Sequence, residues 1–175
     1  MKQFKQLLSI SLLTLIFTAP AYASNKGQID FADLSSFYGE PKVEINLSAS
    51  LMNMVGSFAK NEDPEVAEIL SNLDFIKVRV YNLKGKAEKA NATIDKVSSK
   101  LRAAKWETLV TVNDNEDNQK VRIFSKTTNN VIDGIVVMVV SAEKDGGEAV
   151  FINIVGEIDP NKIAKITDNL NIDIN

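Results

Sequence analysis

The sequence predicts an α+β fold built on a largely antiparallel sheet, and three observations carry that expectation. Between about residues 105 and 155, four runs rich in β-branched residues are separated by polar turns, the spacing of consecutive hairpins. Amphipathic segments of helical period stand before and after this block. Strands grouped in one run, with helices segregated to either side of it, belong to α+β rather than to alternating α/β architecture.

The chain opens on a short basic stretch, Met1 to Lys5, then the uncharged apolar run Leu7 to Phe17, then Ala21-Tyr22-Ala23. That order is a bacterial secretory signal peptide with an A-x-A cleavage site, so residues 1–23 are expected to be removed. The apolar run, about 11 residues, falls short of the roughly 20 that a spanning helix needs. Cleavage after Ala23 makes Ser24 the new N-terminus. No cysteine stands there to accept lipid. The expected location is the periplasm or beyond, with no stable membrane anchor after cleavage.

Residues 24–41 read as a leader. Phe31, Leu34, Phe37 and Tyr38 recur at helical spacing before Gly39 and Pro41, so the leader is expected to dock on something. A single α+β domain is expected over 42–172. Val43, Ile45 and Leu47 alternate as a strand. Leu51, Met54, Val55 and Phe58 then form a helical stripe. Pro64 opens a second helix, carrying Val66, Ile69, Leu70 and Leu73. Phe75 to Leu83 alternates, with Ile76, Val78 and Val80 on one side and Lys77, Arg79 and Tyr81 on the other. After Gly85, the spacing Ala87, Ala90, Ile94, Val97, Leu101 predicts a third helix. The four-strand meander follows, with a bulge expected at Gly134. Asp159-Pro160 starts a last helix striped by Ile163, Ile166 and Leu170.

Composition excludes whole classes of chemistry. The chain of 175 residues has no histidine and no cysteine. A Ser-His-Asp triad, a cysteine nucleophile, a disulfide and the ordinary zinc, copper and iron–sulfur sites are therefore absent. The formal net charge is −3, and signal cleavage removes Lys2 and Lys5 as well. An acidic chain without clustered Lys and Arg is not expected to bind nucleic acid.

The remaining motifs favour structural readings. Asn113 to Asn118 concentrates oxygen ligands around Asp114, Glu116 and Asp117, but lacks the glycine bend and distal acid of a calcium loop; it reads as a hairpin tip. Ser57-Phe58-Ala59-Lys60 fits S-x-x-K, yet its companion motifs are missing. Lys84-Gly85-Lys86 could hold an anion at a helix start, or be a plain glycine turn. Asp133, in an apolar strand, is the candidate general base for a hydrolase; a bulge with Asp bonded locally is the plainer alternative. Trp106, Tyr81 and Arg122 could form an aromatic and cationic patch, or simply pack. No enzymatic activity, metal or cofactor is expected.

The sheet centre is apolar on both faces. Ile135 to Val140 does not alternate with polar residues. Val150, Ile152 and Ile154 can face the helices, which leaves Ala149, Phe151 and Val155 around Asn153 on the other side. The leader could cover that second face, or helices on both sides, or a partner. The candidate contact face is Phe151, Asn153, Met138 and Val155. The expected function is non-catalytic binding or regulation in the bacterial cell envelope, with an envelope protein as partner. Alternatives are a carrier of an apolar small molecule or lipid, a self-associating structural component, and a carboxylate hydrolase.

Four segments in order, Val80 to Gly85, Lys105 to Val110, Gly134 to Val139 and Ala149 to Pro160, resemble the bacterial family known as domain of unknown function 4252. The resemblance spans about residues 30–172 and implies a small exported protein of the unlipidated kind. It brings no catalytic residues with it.

Overall fold

The computed structural model describes residues 26–114, 119–141 and 146–160. The signal segment with Ala21, Ala23 and Ser24 lies outside them, as does nearly all of the expected last helix. The elements are α1 (Ala32–Tyr38), β1 (Val43–Ser48), α2 (Ala49–Ala59), α3 (Pro64–Ser71), β2 (Leu73–Asn82), α4 (Ala87–Ala103), β3 (Glu107–Asp114), β4 (Gln119–Thr128), β5 (Val131–Ser141) and β6 (Glu148–Ile158). The fold is α+β with an antiparallel sheet. That sheet has six strands in the order β1-β2-β6-β5-β4-β3 rather than a meander of four. The two earlier strands pair onto the far side of β6 and make it a central strand.

Local chemistry sets the boundaries. The Ser48 hydroxyl accepts from the Leu51 amide at the start of α2. The Asp63 carboxylate accepts from the Val66 amide, with Pro64 occupying the first position of α3, where its missing N–H costs nothing. Gly39 ends α1 at φ 84°, a backbone state that favours glycine. At the other end of α4, the Lys126 ammonium donates to the carbonyls of Ala104 (2.6 Å) and Lys105 (3.3 Å), placing a cation where the helix leaves carbonyls unpaired.

The leader and α4 share one face of the sheet. Phe31, Leu34 and α4 residues Ala90, Ile94 and Leu101 pack there with Phe124, Val136, Met138 and Phe151 in the main core. Three aromatic contacts tie the leader in, and a fourth joins its two partners on the sheet. Tyr38 stacks on Tyr81 at 5.0 Å, and Phe151 meets Phe31, Tyr38 and Tyr81 at 5.6–6.0 Å. On the opposite face the α2–α3 hairpin covers one end only. Met52 and Leu70 pack there with Ile76, Ile132, Ile135, Ile154 and Ile158.

The extended segment before α1 is held by one buried side chain. Asn153, in the middle of β6, accepts from the Ile29 amide through Oδ1 (3.0 Å). Through Nδ2 it donates to the Gly27 carbonyl (3.0 Å) and the Ile135 carbonyl (3.2 Å). Its amide thus completes backbone pairing that no strand supplies. The bulge expected at Gly134 is present, between Ile132 and Gly134 in the pairing with β6. Its glycine has a spatial reason: a Cβ there would stand 2.4 Å from the Gly27 carbonyl oxygen.

Replacing Asn153 with alanine removes the side-chain partner of three backbone groups, and should lower stability by about 2–4 kcal/mol. Gly134→Ala should push the same segment away with Asn153 intact. Denaturant midpoints, and limited proteolysis ahead of α1, should move together in both variants.

Candidate functional site

The face left beyond the α2–α3 hairpin is aliphatic from edge to edge. Register aligns Val43, Val80, Val150, Val139, Val121 and Val112 in one row across all six strands. The adjacent row is Ile45, Val78, Ile152, Val137, Ile123 and Val110. Neither row contains a polar or charged side chain. Its margins are exposed, with Val43, Ile45, Val110 and Val112 at 38–41% of full accessibility, and the inner positions are half-buried. A third row, Leu47, Ile76, Ile154 and Ile135, is the one on which the α2–α3 hairpin sits. Along its own outer side α2 exposes Met54, Val55 and Phe58.

The four residues expected on a contact face are therefore misplaced by that expectation. Phe151, Asn153 and Met138 are fully buried and Val155 is 1% exposed. The face they occupy is the one roofed by the leader and α4. The reason is physical: aromatic rings remove the most area from water when paired, and the leader's Phe31 and Tyr38 find their companions in Phe151 and Tyr81. Charged residues on the same side lie toward the margins and are partnered. Arg79 pairs with Glu44 at 2.8 Å. Arg122 donates to the Val112 carbonyl and to Asn113. The aliphatic side, expected against helices, is the side that helices leave largely uncovered among the described residues.

On the roofed side a cavity of about 350 Å³ opens between the leader and α4. Leu34, Val97, Leu101 and Trp106 are among its apolar walls, and Lys26, Lys96, Lys100 and Lys126 line it together with the single carboxylate of Asp30. Sequence reading weighed Trp106 only as part of a patch with Tyr81 and Arg122, and did not single out this set. Val97 and Leu101 follow Lys96 and Lys100 directly, so α4 lays an apolar and a cationic stripe side by side, a signal legible in the spacing.

The catalytic candidates resolve into local structure. Asp133 is half-buried at the β4–β5 turn and accepts from the Thr128 hydroxyl at 2.6 Å. Ser57 donates to the Asn53 carbonyl one turn back along α2. Lys84 and Gly85 take φ values of 46° and 76°, and the Lys84 amide is taken by the Asn82 side chain, so this is a left-handed turn. Of the acidic turn, residues 115–118 lie outside the described residues. Among the described residues no three acidic side chains cluster as a metal site. Tyr81 and Trp106 are both buried in the main core, and Arg122 is buried with its guanidinium bonded to the Val112 carbonyl, so the three pack rather than form an exposed patch.

The Tyr38 phenol is perturbed by its surroundings. Burial pushes its phenol up to about 12, offset in part by a hydrogen bond with Thr93. Its hydroxyl donates to the Ala90 carbonyl at 3.1 Å, joining α1 to α4. Burial raises Tyr81 too. The folded state thus disfavours the phenolate. The stability this gives is intact below pH 10.0, the ordinary value, and is lost as pH rises toward about 12. Stability measured against alkaline pH should decline in that window. Tyr38→Phe should flatten the decline, at a cost of about 1 kcal/mol at neutral pH.

A family model, Domain of unknown function (DUF4252), matches residues 37–166. The match thus begins after the segment that Asn153 holds. No curated protein matches the chain.

Proposed function

The chain belongs to the DUF4252 family, and from that premise we propose that it is a non-catalytic binding protein of the bacterial cell envelope, exported by its signal peptide, which docks a protein partner on the open aliphatic face of its sheet. The observation that carries this reading is the pair of six-residue rows running from Val43 to Val112 and from Ile45 to Val110. A contiguous apolar surface of this extent is costly to leave in water and is the usual mark of an interaction site. The partner's contact surface is correspondingly apolar and uncharged, because an unpaired charge pressed against these rows would lose its hydration without compensation. The absence of histidine and cysteine, and the local roles of Asp133 and Ser57, favour binding over catalysis.

The decisive contrast lies between neighbours on β6. Phe151→Glu buries a charge in the aromatic core and should cost more than about 4 kcal/mol, abolishing the fold. Ile152→Glu, one residue on, faces outward and should cost about 1 kcal/mol. A photocrosslinking residue at Val137 should join the protein to a distinct envelope protein in cells, and Ile152→Glu should abolish that adduct. Adducts only with a second copy of the chain would replace the proposed partner by self-association. No adduct from the face at all would overturn the reading.

A further inference from the structure

The cavity between the leader and α4 lies on the side of the sheet away from the proposed docking face. We infer that it is a binding site for a single-chain anionic amphiphile, with the apolar chain held against Leu34, Val97, Leu101 and Trp106 and the anionic head met by Lys26, Lys96 and Lys100. Three observations converge. The first is size: about 350 Å³ stands at the small end of ligand cavities and suits one acyl chain, not a two-chain lipid. The second is the wall, which combines the buried Trp106 indole with the aliphatic side chains of Leu34, Val97 and Leu101.

The third is charge. The protein is acidic overall, at −3, yet four lysines line this one cavity against the single carboxylate of Asp30. Lys126 gives two of its three donors to the carbonyls after α4, so its main contribution to the cavity is its charge. The Lys96 ammonium lies 5.0 Å from the Phe37 ring centroid, and both residues line the cavity. Lysine stems are themselves apolar and extend the wall up to the charged heads. A cavity lined by both apolar side chains and lysines is complementary to an acyl chain ending in a carboxylate or a phosphate.

Trp106 is the only tryptophan in the chain and lines the cavity, so it reports occupancy directly. The exported protein should be titrated with laurate, dodecyl phosphate and dodecyltrimethylammonium, all below their micelle concentrations. Tryptophan emission and calorimetry are read together. Saturable one-to-one binding of laurate or dodecyl phosphate, with none of the cationic surfactant, is the expected result, and the stronger of the two anions identifies the head group. Lys96→Glu combined with Lys100→Glu, both exposed positions, should weaken that binding at least tenfold with an unchanged circular dichroism spectrum. Val97→Phe, which narrows the cavity without touching a charge, should weaken it too. Equal binding of the cationic surfactant, undiminished binding by the charge-reversed protein, or association with phosphatidylglycerol vesicles but with no free amphiphile would each overturn the inference.

Discussion

The Asn153 side chain is the constraint on which the rest of the structure turns. An uncharged amide at the centre of a sheet would be a liability if unpaired, since burying its donors and acceptor without partners costs several kcal/mol. Here it offers an acceptor and a donor to the Ile29 amide and the Gly27 carbonyl, and keeps a second donor bond to Ile135. The leader is thereby fixed in position before α1 begins. Phe31 then reaches Phe151, and Tyr38 reaches Tyr81 and Ala90. Remove the amide, and the aromatic roof loses the anchor at its base.

That roof decides which face of the sheet is interior. Each strand offers two sets of side chains, and in β5 and β6 both sets are apolar. The leader brings rings, rings pair best with rings, and the side bearing Phe151 and Tyr81 becomes the core. The aliphatic side is left to the short α2–α3 hairpin, which reaches only one end of it. The proposed docking face and the lysine-lined cavity are two consequences of one choice. The sheet's uncovered side lies opposite the leader, and the cavity lies in the seam where the leader meets α4.

Much of the element order was legible because it is written in local chemistry. The Pro64 start, the turn at Gly85, the alternation of Phe75 to Leu83 and the bulge at Gly134 each follow from a backbone preference or a two-residue period. The alternation also grouped Ile76, Val78 and Val80 correctly on one side. Period alone cannot say which side a helix will cover, because that is settled by contacts between residues far apart in sequence. The candidate contact residues were misassigned for this reason: Phe151, Met138 and Val155 read as surplus apolar surface when the leader's place was not known. Asn153 was noticed among them, yet its partners lie 124 and 126 residues away. The cavity was missed because its wall combines the leader, α4 and the start of β3.

That long reach has a consequence in time. The leader is the first described segment to be synthesised, and its anchor sits on the last described strand. Until β6 is in place the leader has nothing to close upon, and contacts of such separation form late and slowly. A chain broken off anywhere before residue 153 lacks the side chain that holds Gly27 and Ile29, and should be cut by proteases faster than one that includes β6. The connectivity itself therefore separates complete copies from incomplete ones.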